Sequence, residues 1–331
     1  MRSEEVLLLG SRDVRTLLTL DECIAAVELA FRAHGQHRAV PPAVLSMHAE
    51  RGGFHVKAGM LNLNRSYFAA KVNGNFPENP SRFGLPTIQG LIVLCNADNG
   101  IPLAVMDSRE ITSLRTAAAT AVAAKVLSRS DSQTVTICGC GTQGLAQLMA
   151  LTRVRPVHFV FAYDKDTIQA ERFARGMAIE LGLDVQPVSD LVDAVRQSAI
   201  CVTCTTSCQP VLHADDVSAG TFIAAVGADN PQKRELHPDL MKRSIVVCDV
   251  LDQCASMGDL HHALDAGVMR RADVHGELGE IVAGNKVGRE SAEEITIFDS
   301  TGMALQDVAA SAVLYEKAQR QGLGVRLSFA A

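Results

Sequence analysis

Between Thr19 and Gly35 the stretch TLDECIAAVELAFRAHG places Ile24, Val27 and Phe31 on one face at helical spacing. Thr19 with Glu22 three residues on forms a capping box, and Gly35 gives a stop, so the segment is expected to be a helix. Apolar residues then fall into short strand-like runs: AVLSMHA, GGFHVKAGM, YFAAKVNGNF and IQGLIVLCNADNGIPLAVMD. The last carries Asp98-Asn99-Gly100 between two apolar stretches, which is a hairpin signal. A helix followed by adjacent strands predicts an α+β unit rather than alternating βαβ.

From Ser108 the pattern changes. SREITSLRTAAATAVAAKVLSR sets Ile111, Leu114, Ala118 and Val122 on one helical face and reads as a connector helix. Strands and helices then alternate through TVTICGCG, VHFVFAYD, a short strand near Val185, AICVTCTT, TFIAAVGAD, SIVVCDV and EITIFDS. Such alternation is the signature of a doubly wound parallel sheet. A last helix, from about Met303 to Arg320, has Leu305, Val308, Ala312 and Tyr315 as its apolar stripe and is free to return to the first domain. The fold class expected is therefore α/β: a Rossmann-type doubly wound parallel sheet preceded by an α+β domain.

Composition narrows the partners. At 331 residues the chain is long for one core, so two domains are expected. A hydrophobic fraction of 47%, a charged fraction of 21% and a net charge of −6 are ordinary for a globular protein. Without blocks of like charge there is no nucleic-acid or anionic-membrane surface to expect. No apolar run reaches the roughly 18–20 residues needed to cross a bilayer. The early VLLLG is too short for a signal sequence, so a cytoplasmic protein acting on small molecules is expected. Nine cysteines fit reduced thiols better than a disulfide framework. Cys201, Cys204 and Cys208 suggest a metal cluster by spacing, but the first two alternate faces of one strand and no matching pair completes a site. No metal is expected.

The candidate chemistry begins at TVTICGCGTQG. Gly139, Gly141 and Gly144 form a G-x-G-x-x-G that follows a β-branched strand and opens a helix. Asp164 ends the next strand, twenty residues after Gly144. In this context Gly139 makes the tight turn, Gly141 admits a pyrophosphate, and Gly144 allows close helix–strand packing. A carboxylate at Asp164 accepts from ribose hydroxyls and repels a 2′-phosphate, which favours NAD over NADP despite the neighbouring Lys165.

Other candidates stand at strand ends, where such sheets bind ligands. They are Thr205, Thr206, Asp229 after FIAAVG, and Ser300-Thr301-Gly302 after EITIF. Asp229 is either a general acid/base or an Asx-turn residue. Serine and threonines suit cofactor amide or ribose, since no nucleophile elbow exists. In the first domain, Lys71 lies mid-strand among apolar neighbours and is either solvent-facing or buried with a shifted pKa. Arg115 borders the apolar stripe of the connector helix, to clamp a carboxylate or to reach for water. Lys57 has the same ambiguity. None of the ten histidines stands out.

Over the blocks AAKVNGNFPENPSRFGLPTIQGLIVLCNADNGIPLAVMDSREITSLRTAAATAVAAKVLSR, GCGTQG, AVGADNPQKREL and FDSTGMALQD, the chain resembles the ornithine cyclodeaminase/μ-crystallin family. The blocks occur in order and span nearly the whole chain. The resemblance implies a homodimer built through a substrate-binding and dimerisation domain, residues 1–115 and 304–331. It implies an NAD-binding domain over residues 116–303, with the substrate between the two. By motif match, Lys71 and Asp229 fall on the family's catalytic lysine and aspartate. Arg115 falls on its substrate-carboxylate arginine, and Thr87 on a threonine beside cofactor or substrate. Cofactor contacts are expected from Gly139, Gly141, Thr142, Gln143, Gly144, Asp164, Thr205, Thr206, Val226, Gly227, Ser300 and Gly302.

The family chemistry is hydride transfer at a carbon–nitrogen bond, with nicotinamide taking hydride from an amino acid's Cα or returning it to an imine. The chain departs from the pattern near Ala43, where many members carry an arginine; no arginine lies between Arg38 and Arg51. Lys57 is expected either to supply that charge or to meet a second carboxylate, as in an iminosuccinate-like substrate. It would repel the distal ammonium of ornithine. AVGADNPQKREL and LAVMD also look more like the alanine-dehydrogenase and imine-reductase branch. The expectation is an NAD(H)-dependent imine reductase or amino-acid dehydrogenase. The alternatives are an ornithine cyclodeaminase-type lyase, and a non-catalytic crystallin-like binder of NAD(P)H.

Overall fold

The computed structural model describes residues 5–328, which fall into two compact units, residues 5–115 with 303–328 and residues 116–302. In the first unit the strands are β1 (Glu5–Leu9), β2 (Val40–Ala49), β3 (Gly52–Asn62), β4 (Ser66–Asn75), β5 (Ile88–Asn96), β6 (Pro102–Asp107) and, from the chain's other end, β15 (Val325–Ser328). They form one sheet in the order β15-β1-β6-β5-β4-β3-β2. Only β1 and β6 run parallel; every other pair is antiparallel. The hairpin signal is realised between β5 and β6, where Gly100 takes φ +76.

The helices of this unit are α1 (Ser11–Leu17), α2 (Leu20–Gly35), the short α3 (Asn79–Phe83), the start of α4 (Ser108–Leu127), and α12 (Ala304–Gln321). Thr19 caps α2 as its sequence requires, accepting from Glu22 N while the Glu22 carboxylate reaches back to Thr19 N. α12 packs on α2 and across β3, β4 and β5. The sheet alternates accordingly. In β4, Tyr67, Ala69 and Lys71 are buried, whereas Val72 is 43% exposed. The outer face stays bare: Leu45, Val56, Val72 and Leu91 are successive cross-strand partners, and Leu45 and Leu91 are 56% and 54% exposed.

The second unit alternates as its sequence predicts. Its strands are β7 (Thr134–Cys138), β8 (Phe159–Tyr163), β9 (Asp184–Val188), β10 (Ile200–Thr203), β11 (Phe222–Ala225), β12 (Ile245–Cys248), β13 (Gly276–Glu277) and β14 (Thr296–Asp299). Between them run α5 (Thr142–Leu151), α6 (Thr167–Leu181), α7 (Leu191–Arg196), α8 (Pro238–Arg243), α9 (Leu251–Met257), α10 (Asp259–Asp265) and α11 (Leu278–Val282). All pairings in this sheet are parallel, in the order β13-β12-β14-β11-β10-β7-β8-β9. The direction of winding reverses between β7 and β10, which opens a crevice at the carboxyl ends of those strands. β14, last in the chain, inserts between β11 and β12, so the Ser300–Gly302 loop emerges beside the loop after β11. Among the described residues, no helix is long and apolar enough to cross a membrane.

Candidate active site and cofactor cradle

Lys71 is 3% exposed on the inner face of β4 and lies directly opposite Lys57 of β3, itself 8% exposed. Two lysines at facing positions of an antiparallel pair stand about 5 Å apart at Cβ and repel. What compensates them comes from α12. Asp307, 1% exposed, places Oδ2 2.8 Å from Lys71 Nζ and Oδ1 3.0 Å from Arg115 Nε. Arg115, 5% exposed on α4, also donates from Nη1 to Gln306 Oε1 at 3.0 Å. The sequence left Lys71 and Arg115 open between burial and exposure; both are buried. Asp307 was not among the residues singled out. It stands beside the apolar stripe of α12 near the helix N-terminus, where an aspartate reads as a dipole partner.

The electrostatics suit proton transfer. Burial, then the Arg115 charge and in lesser part Lys57, draw the Lys71 ammonium down from 10.5 to about 7, against the pull of Asp307. Burial pushes the Asp307 carboxyl up, but Lys71, Arg115 and Lys57 outweigh it and hold it below the usual value. At neutral pH Lys71 therefore stands where it can give or take a proton, while Asp307 stays ionised. Three cationic side chains around one carboxylate leave an excess of positive charge in a dry setting. Thr87, half-buried just before β5, belongs to the same unit and is fixed through its carbonyl, which accepts from Phe76 N.

In the second unit the glycine-rich turn behaves as its spacing requires. Gly139 has φ +108, and a Cβ there would meet the Cys204 carbonyl oxygen at 2.9 Å. At Gly144 a Cβ would strike the Gly139 carbonyl oxygen at 2.2 Å, so only glycine lets α5 close on the turn. Gly141 is the N-cap of α5 with nothing within 4 Å of its Cβ position, so the helix N-terminus is open to an anion. Thr142 and Gln143 begin the helix, with Gln147 Nε2 donating to Gln143 Oε1.

A cavity of about 400 Å³ opens here, lined by Gly139, Gly141, Asp164, Lys165, Thr205 and Thr206 among others. Asp164 is tied to the turn: its Oδ2 accepts from Cys140 N at 2.8 Å and its Oδ1 from Asp166 N at 3.0 Å. Cys138 and Cys140 are buried, and burial raises the Cys140 thiol to about 12, so these are packing residues. Val226 N donates to the Thr203 carbonyl and Gly227 N to Glu235. Ser300 and Gly302 lie on the loop after β14 and both donate to Asp249. Asp229, after β11, keeps 42% of its side chain exposed and pairs with Lys233 four residues on, at 2.7 Å. The Asx-turn is instead made by Asn230, whose Oδ1 accepts from Gln232 N and Lys233 N.

The geometry defines a class: a glycine-cradled nucleotide-binding sheet joined in one chain to a unit carrying a buried lysine poised near neutrality. The family model described as the ornithine cyclodeaminase/mu-crystallin family matches residues 4–322, and the chain belongs to that family. It is similar over its whole length to solved relatives. An archaeal alanine dehydrogenase, solved as a dimer with bound NAD, is 40% identical with a TM-score of 0.93, over 98% of this chain and 100% of that one. The Delta(1)-pyrroline-2-carboxylate reductase of Thermococcus litoralis, solved with NADH and L-proline, is 33% identical with a TM-score of 0.91, over 97% and 100%. The iminosuccinate reductase of Paracoccus denitrificans, solved with NAD+, is 30% identical with a TM-score of 0.89, over 98% and 99%.

Proposed function

We propose that the chain is an NAD(H)-dependent oxidoreductase that interconverts a small amino acid and its imino acid. The observation that carries this reading is Lys71: buried, 2.8 Å from Asp307, and drawn down to about 7. The cradle fits the cofactor. The glycine turn is closed by a contact that admits no Cβ at Gly144, the N-terminus of α5 is open at Gly141, and Asp164 stands at the end of β8 for a ribose. These residues would hold NAD(H), which would supply the hydride acceptor or donor for the carbon–nitrogen bond of the substrate.

The chain's own groups do the rest. Arg115 and Lys57 supply positive charge for the substrate carboxylate, and Thr87 adds a hydroxyl. Lys71 takes the proton from the substrate ammonium in the oxidative direction and gives it back to nitrogen in the reductive one. Asp229, its charge offset by Lys233, is the second acid/base group and activates water where an imine is hydrolysed. Asp307 holds Lys71 and Arg115 in place throughout.

Lys57 beside Lys71 speaks against an ornithine-type cyclodeaminase, because a second ammonium on the substrate would meet a lysine. The assembly proposed is a homodimer joined through the outer face of the first unit's sheet, where the row from Leu45 to Leu91 leaves a contiguous apolar stripe. A relative solved as a dimer supports it. The test is spectroscopic. NADH absorbance should fall on adding a cyclic imino acid, or a 2-keto acid with ammonia. NADH bound without turnover of alanine-, proline- or aspartate-related imines would overturn the enzyme reading in favour of a binding protein.

A further inference from the structure

Four carboxylates are wholly buried in the second unit: Glu235, Asp249, Asp259 and Asp299, each 0% exposed. Their hydrogen bonds run in series. Glu235 Oε1 accepts from Thr205 N at 2.6 Å and Thr205 Oγ1 at 2.7 Å, and its Oε2 from Gly227 N at 2.9 Å. The Glu235 backbone N–H, with that of Leu236, donates to Asp259 Oδ1, each at 2.8 Å. The backbone N–H of Asp259 and of Leu260 donate in turn to the Asp299 carboxylate, at 3.3 and 2.9 Å. Asp299's carbonyl accepts from Asp249 N at 3.1 Å. Asp249 then collects Ser300 Oγ at 3.1 Å, Thr301 Oγ1 at 3.2 Å and Gly302 N at 2.6 Å.

The two ends of this series grip the loops after β10, β11 and β14, the strand ends from which the cradle is built. The packing leaves no slack. A Cβ at Gly227 would lie 2.5 Å from Glu235 Oε1, and one at Gly258 would lie 2.6 Å from Asp299 Oδ2. We propose that Glu235 and Asp249, linked through Asp259 and Asp299, are positioning residues that hold these three loops in the geometry that binds the dinucleotide. The proposal rests on the NAD reading of this unit and adds to it residues that do not touch the cofactor.

Charge gives the series a second property. Asp259 Oδ2 has no hydrogen-bond partner among the described residues. Burial, then the nearby Glu235, raise the Asp259 carboxyl to about 7, with Arg234 opposing. Burial and Asp259 raise Asp299 as well. Asp259 thus stands beside Glu235 and Arg234 from the segment after β11 and Asp299 from β14. Protonated, it leaves the support less charged beneath an anionic cofactor. Ionised, it adds a like charge beside Glu235 and loosens the grip.

The test is NADH titration by fluorescence on the full chain, with thermal unfolding measured in parallel. Glu235→Gln keeps the volume but turns an amide NH2 toward Thr205 or Gly227. It and Asp249→Asn should raise the NADH Kd about tenfold or more, the effect of losing a buried hydrogen-bond acceptor, in proteins that still unfold cooperatively above the assay temperature. In the parent, NADH affinity should fall as pH rises through about 7; in Asp259→Asn that slope should vanish. Folded Glu235→Gln and Asp249→Asn proteins that bind NADH as the parent does would overturn the proposal and leave the NAD reading intact. A parent that does not bind NADH would defeat the NAD reading itself. If Glu235→Gln does not fold, Asp249→Asn, at the other end of the series, carries the same test, with an unchanged Kd overturning the proposal.

Discussion

Asp307 stands 2.8 Å from Lys71 through one carboxylate oxygen and 3.0 Å from Arg115 through the other, so one buried anion serves two cations. Removing one partner of a buried pair costs far more than the pair contributes net, about 3–5 kcal/mol, because the remaining charge loses its compensation. Asp307→Asn keeps an oxygen for Arg115 but leaves Lys71 facing only cations. We expect stability to fall by about 3 kcal/mol in denaturant unfolding and kcat to fall about a hundredfold, as for a misplaced proton-transfer group. A variant with unaltered kcat would reduce Asp307 to a structural residue.

The protonation of Lys71 sets the pH dependence. Its folded value, about 7, lies below the ordinary 10.5, so the fold favours the neutral amine. The unfolded chain binds the extra proton between these values, so this group's contribution to stability rises with pH from about 7 to 10.5 and is absent below. With Lys71 as the proposed base, oxidation of the amino acid should accelerate as pH rises through about 7, and imine reduction should slow. Asp307→Asn should move both inflections to lower pH, since Asp307 is the group that raises Lys71. Inflections that ignore Asp307→Asn would assign them to another residue.

Lys57 separates a carboxylate anchor from a bystander. Lys57→Met preserves the stem and deletes the charge that helps depress Lys71. KM for the amino or imino acid should rise about tenfold or more, with a smaller change in kcat and an upward shift of the Lys71 inflection. If dicarboxylic substrates lose more than monocarboxylic ones across a substrate panel, Lys57 meets the second carboxylate. An unchanged KM for both would dismiss it as an anchor.

What the sequence made legible follows from locality. The glycine spacing, the strand before it and Asp164 are short-range features, and Gly139 and Gly144 make the turn and the close contact they imply. Lys71 and Arg115 were legible as charged residues in apolar settings, but not their burial, because the compensating Asp307 comes 192 residues after Arg115 and further still after Lys71. The insertion of β14 between β11 and β12 leaves no periodic trace either. With it went the sense of Glu235, Asp249, Asp259 and Asp299, which read one by one as ordinary polar residues near strand ends. Asp229 was legible by position, but nothing in the sequence marked Lys233 as its partner.

Asp164 tests the cofactor preference with a complication that the structure exposes. Because its Oδ2 accepts from Cys140 N, Asp164→Ala removes a support of the glycine turn along with the proposed ribose acceptor. Affinity for both NAD and NADP should then drop, which alone says nothing of preference. Asp164→Asn keeps an acceptor for Cys140 and removes the charge. The ratio of kcat/KM for NAD over NADP should fall by roughly tenfold, about the effect of relieving one like-charge repulsion. An unchanged ratio in Asp164→Asn would confine the residue to holding the turn.

The bare outer face of the first unit's sheet gives the last prediction. Val72 and Leu91 are adjacent cross-strand partners at 43% and 54% exposure, and Leu45 continues the row at 56%. A contiguous apolar stripe of this kind is buried by a partner surface in most stable proteins, and a two-fold dimer brings the same stripe to itself. A charge at its centre would be buried against its own copy across the two-fold axis, at a cost of several kcal/mol per ion. If the proposed dimer forms through this face, Leu91→Glu should convert it to a monomer in light scattering at micromolar concentration. Val93, the next residue on that face, offers a second position should Leu91→Glu fail to express. The site's own residues point to the opposite face of the sheet, since Lys71 and Val72 alternate on β4. NADH binding by the second unit should accordingly survive in the monomer. A Leu91→Glu protein that remains dimeric would move the interface elsewhere.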